Sequence, residues 1–269
     1  MINILQTEFF RLKKSVLFWV MFGVCAALPL LSVLVNLLGL AFFEIEGMGV
    51  EYDVWELVKK SDITILTLSG LPSLSGDSLF ALICTSIFLS KEFSGGTFRN
   101  MLLANRRRSD VYLSFLIVAV TIGATYLGAT FVSTLLFNGI IFGFGTATAA
   151  KVVTACVVSL ALGLISVLFL QTMMCMFMFG TRKLAVALAC PLAICIVAPS
   201  ILFSFVETFA QFGLITETDM SWIPIYNLHL LDLTQNDGAL IGKILLYLVP
   251  LTALFGYLGW LFFKKADLK

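Results

Sequence analysis

The chain has 269 residues, of which 60% are hydrophobic and 12% charged, whereas soluble domains carry roughly 25% charged residues. Its apolar runs continue unbroken for about twenty residues or more, which excludes a soluble domain and the alternating pattern of a transmembrane β-barrel. With a net charge of only +1, the distribution of charge is informative and its sum is not.

Residues 1–15 place Ile2, Leu5, Phe9 and Leu12 on one helical face, with Gln6, Arg11, Lys13 and Lys14 largely elsewhere, and this predicts an amphipathic helix lying in the membrane interface. The apolar run 16–43 is too long for a signal-peptide core and is expected to stay attached as the first span. Residues 44–75 form an acidic loop with Glu44, Glu46, Glu51, Asp53, Glu56 and Asp62, helical in part between 54 and 68. A second span over 74–90 leads into a basic loop, residues 91–110. Spans over 111–144, 152–179 and 184–206 follow, the last two as an antiparallel hairpin around Arg182 and Lys183, with Pro191 and Pro199 able to kink the fifth. Residues 207–238 are acidic and mixed in hydropathy. They read either as a loop with an aromatic belt or as a re-entrant pair of short helices, before a sixth span over 241–263.

The expected architecture is thus a single all-α transmembrane domain over 1–269, with six spans and an N-terminal interfacial helix. If both ends lie on one side, thirteen of the 17 basic residues fall there, leaving Lys59, Lys60, Lys151 and Lys243 opposite. The positive-inside rule makes that side cytoplasmic and the location the cell membrane.

No ionisable residue sits near the middle of a predicted span, which argues against an ion-coupled carrier. Lone His229 has no evident catalytic partner, and residues 238–244 lack the spacing of a phosphate-binding loop, so the chain is expected to bind neither ATP nor another cofactor. Six cysteines fall inside apolar runs without C-x-x-C spacing, as small buried side chains rather than metal ligands or disulfides. Gly139 and Gly143, and Ala155, Ser159 and Gly163 at four-residue steps, let helices approach closely, in the bundle or across a dimer.

The loop 91–110 carries Lys91, Arg99, Arg106, Arg107 and Arg108 against Glu92 and Asp110. Within it Gly95 and Gly96 permit a tight break, Thr97 can cap a following helix, and Phe98, Met101 and Leu102 give that helix an apolar stripe. The run from Glu92 through Gly96-Thr97, Arg99, Arg107-Arg108 and Val111-Tyr112-Leu113-Ser114 resembles the loop after the second helix in membrane subunits of type-2 ATP-binding-cassette (ABC) exporters. The resemblance implies a permease that pairs with a second, identical or homologous permease and with cytoplasmic ATPase subunits, which bind ATP and Mg. It implies that the segment holding Glu92, Phe93, Gly96, Thr97, Phe98, Arg99, Met101 and Leu102 seats on the ATPase, and that an amphipathic peptide or drug is exported. Arg106 to Arg108 also suit plain anchoring to anionic lipid, and no nucleic-acid partner is implied. From another class, a membrane scaffold or immunity protein that transports nothing fits the same composition.

Overall fold

The computed structural model describes residues 2–45, 63–71, 76–95, 108–145, 147–197, 201 and 238–265, and among these every regular element is helical. An N-terminal helix α1 (Ile2–Lys13) turns through Lys14 and Ser15 into α2 (Val16–Ile45). There follow α3 (Ile63–Gly70), α4 (Gly76–Ser94), α5 (Arg108–Ile141), α6 (Ala149–Thr181), α7 (Leu184–Leu192) and α8 (Gly238–Lys265). Among the described residues, four stretches are long and apolar enough to cross a bilayer: Val16–Val35 in α2, and the whole of α5, α6 and α8. A helix of 34 residues rises about 51 Å, beyond the ~30 Å hydrocarbon core, so its ends reach the headgroups.

The bundle is apolar outside and mixed inside. Leu31, Ile140, Val153 and Leu246 are exposed, while Thr130, Thr134, Asn138, Ser159, Ser166 and Gln171 are buried, as suits a protein whose solvent is lipid. Hydroxyls inside mostly donate to the carbonyl a turn back, Thr130 to Tyr126 and Thr134 to Thr130. Ser159 instead donates to the Leu68 carbonyl at 2.7 Å and ties α6 to α3.

Close approach is used inside the chain. A Cβ on Gly163 would stand 2.9 Å from a Leu127 methyl, so this glycine lets α6 lie against α5. Gly143 has a positive φ of 73° in the turn that leaves α5, where a side chain would be strained.

Several boundaries differ from expectation. Helix α4 continues to Ser94 and α5 begins at Arg108, so Lys91, Glu92 and Phe93 stand on a helix and the link between helices is shorter than 91–110. The reason is that Glu92 and Phe93 are packed inside, which sustains the helix past the end of its apolar run. The buried face of α1 is centred on Ile4, Glu8 and Leu12, with Leu5 and Phe9 only partly buried, rather than on the purely apolar stripe. In the fifth segment, α7 contains Pro191 and widens into one π-helical turn, Ala193–Val197. Proline lacks the N–H that would continue the regular ladder. The last helix starts at Gly238. The count of six spans, Pro199, residues 46–62 and the segment 207–237 lie outside what the described residues address.

Candidate functional site

One end of the bundle gathers nine of the eleven described lysines and arginines: Arg11, Lys13, Lys14, Lys91, Arg108, Arg182, Lys183, Lys264 and Lys265, leaving Lys151 and Lys243 opposite. Interfacial aromatics frame this end. Trp19 Nε1 donates to the Lys13 carbonyl at 2.8 Å, and Lys264 Nζ sits 5.1 Å over the Trp260 ring, an arrangement suited to the headgroup level.

Here α4 and α5, the two helices that flank residues 96–107, are each tied to a neighbour. At the end of α4, Glu92 is 2% exposed and accepts from Arg11 Nη1 at 2.7 Å across 81 residues of sequence. The same nitrogen stands 3.4 Å from Glu8 Oε1, one turn back on α1. Glu8 is fully buried. Removal from water, reinforced by the nearby Glu92 carboxylate and opposed by Arg11, pushes its pKa up to about 7. Phe93 follows with its ring 5.7 Å from Phe179 on α6, and the Gly95 N–H closes the helix on the Lys91 carbonyl at 2.9 Å.

At the start of α5, Arg108 donates to the Lys264 carbonyl at 2.5 Å. Tyr112 reaches α8 through a 2.8 Å hydrogen bond from its hydroxyl to the Gly256 carbonyl. Its ring belongs to a cluster with Phe179 at 5.3 Å and Phe263 at 6.2 Å. Gly259 makes room for this contact, since a Cβ there would lie 2.7 Å from the Tyr112 hydroxyl and 3.2 Å from the Met176 backbone.

Of the residues expected to meet an ATPase, the structure places Glu92 and Phe93, and both turn into the bundle. Gly96, Thr97, Phe98, Arg99, Met101 and Leu102 lie outside the described residues. The partners Glu8 and Arg11 were not read as a site from the sequence, although a signal existed. A carboxylate at position 8, four residues from Ile4 and from Leu12, interrupts an apolar face and calls for a cation in reach.

Among the described residues no group of three or more metal-ligating side chains comes together. The arrangement is mechanical: it fixes where two helices end. Comparison with protein families finds a match to the ABC-2 family transporter protein model over residues 4–198. The comparisons with curated proteins and with solved structures give no match.

Proposed function

Because this chain belongs to the ABC-2 family of transporter proteins, a family of membrane components that work with cytoplasmic ATPase subunits, we propose that it is the permease of an exporter of amphipathic peptides or drug-like molecules. ATP and Mg are bound by the separate ATPase, and a second permease, identical or homologous, completes the pathway. The basic end of the bundle faces the cytoplasm, with both chain termini there and anionic lipid around it, and the protein resides in the cell membrane.

The observation that carries the reading is the pair of anchors on either side of residues 96–107. A push on that segment is felt at once by α1 through Glu92 and Arg11, and by α8 through Arg108 and Tyr112. In this reading Gly96, Thr97, Phe98, Arg99, Met101 and Leu102 meet the ATPase, while Glu92 and Phe93 pass its movement into the bundle. Phe98 supplies the apolar anchor, and truncating a buried anchor typically costs about 2 kcal/mol or more. Loss of a rim charge mainly alters association rate and salt sensitivity.

The test is copurification. Phe98→Ala is expected to leave the permease inserted but to lower the ATPase retained per permease, and Arg106→Ala to change retention little. Equal retention and equal substrate-stimulated hydrolysis in Phe98→Ala and parent would reduce the segment to a basic membrane anchor. Transport that continues without ATP and collapses with the proton gradient would remove the ABC mechanism altogether.

A further inference from the structure

Two carboxylates converge on one guanidinium where α1 meets α4. Arg11 Nη1 is 2.7 Å from Glu92 Oε2 and 3.4 Å from Glu8 Oε1, so the shorter and stronger bond goes to Glu92. Glu8 Oε2 is buried and finds no hydrogen-bond partner among the described residues. Two negative charges facing one positive charge leave one in excess. An ionised oxygen buried without a donor is costly, whereas a carboxylic acid there is tolerated.

Among the described residues, other charged groups stand near this joint. On α4, Lys91 lines the same cavity of about 220 Å³ as Arg11 and Glu92. Helix α5, which also packs on α1, opens with Arg108 and Asp110. Among the described residues, the charges that act on Glu8 are those of Glu92, which raises its pKa, and Arg11, which lowers it.

We propose that Glu8 is a proton-binding site, and that the proton it holds locks α1 onto the end of α4 beside residues 96–107. When Glu8 is protonated, Arg11 is left to Glu92 and the joint is neutral. When Glu8 loses its proton to solvent, one unneutralised charge remains at the contact, and α1 is loosened from the helix that leads into those residues. Burial, reinforced by the Glu92 charge, pushes the Glu8 carboxyl up to about 7, which places the proposed lock near neutral pH. This deepens the coupling reading, because it makes the joint responsive to pH on the basic side, but its test requires neither ATPase nor substrate.

The chain in lipid nanodiscs is followed by infrared difference spectroscopy between pH 6 and pH 8. The parent is expected to lose one protonated-carboxyl C=O band with a midpoint near 7, and Glu8→Gln to lack that band. Glu92→Gln removes both the competitor for Arg11 and the like charge, so the midpoint should move at least one unit lower, a tenfold change in proton affinity. In parallel, thermal unfolding of the parent should fall by a few degrees from pH 6 to pH 8, and that of Glu8→Gln should stay level. A band that survives in Glu8→Gln, a parent spectrum without a titrating carboxyl, or equal pH dependence of unfolding in both chains would each overturn the proposal.

Discussion

The two helices that flank residues 96–107 are held by different balances of charge and packing. The end of α4 is held mainly by charge, through Glu92, Arg11 and Glu8, with the guanidinium side chain 41% exposed, and Phe93 adds one ring contact with Phe179. The start of α5 is held mainly by neutral packing: three rings, one tyrosine hydroxyl and a glycine that lets α8 come close. Packing of this kind depends on shape and hardly on pH or salt. A buried charge pair depends on both, and its desolvation offsets most of its attraction. One side of the segment is therefore a fixed hinge post and the other a conditional one.

The strongest way to break the fixed side is Gly259→Val. The new methyls meet the Tyr112 hydroxyl and the Met176 backbone, which cannot rotate away. Overpacking on this scale typically costs 1–3 kcal/mol, and the expectation here is about 3, because the neighbour is backbone. The folded yield and the unfolding temperature should fall equally at pH 6 and pH 8. A loss that differed between the two would mean that this anchor contains a titrating group.

Arg11→Ala comes next and should behave oppositely. It leaves Glu8 and Glu92 buried together without their cation. The cost is expected at about 2 kcal/mol at pH 8, below the 3–5 typical of a broken buried pair because Arg11 is partly in solvent. The sign follows from Glu8, whose folded pKa of about 7 lies above the ordinary 4.5. Its favourable contribution is complete below about pH 4.5 and is lost as pH rises through about 7. The defect of Arg11→Ala should therefore shrink on acidification. Unfolding curves at pH 5.5 and pH 8 check this, and a pH-independent loss would mean that Arg11 acts through its stem rather than its charge.

Much of the bundle was legible in composition, because long apolar runs in lipid can only be helices. The four long apolar stretches are found near where hydropathy puts them, and loops placed by polarity were misjudged in extent. Lys91, Glu92 and Phe93 read as loop because they are polar or follow a polar residue, yet tertiary contacts with Arg11 and Phe179 keep them helical. Glu8 is hidden in the sequence for a related reason: local periodicity assigns a carboxylate to water, and the Glu92 that shares Arg11 with it is remote in sequence. Gly163 was legible as a close-approach residue, but only the structure shows that Leu127 of the same chain fills the space.

The smallest effect, and the finest probe of the difference between the two anchors, is Tyr112→Phe. The substitution removes only the hydroxyl that donates to the Gly256 carbonyl at 2.8 Å, and the ring keeps its place beside Phe179 and Phe263. A neutral hydrogen bond contributes about 1 kcal/mol net, and interhelical bonds in membranes average about 0.6. The expected destabilisation is thus about 0.6–1 kcal/mol, the same at pH 6 and pH 8. Double-mutant cycles of Tyr112→Phe with Gly259→Ala and with Arg11→Ala would measure it. Coupling to Gly259→Ala but none to Arg11→Ala is expected, since the first pair shares a contact and the second does not. Coupling of equal size in both cycles would mean that the charged and neutral anchors move as one body, and that residues 96–107 are held by a single joint.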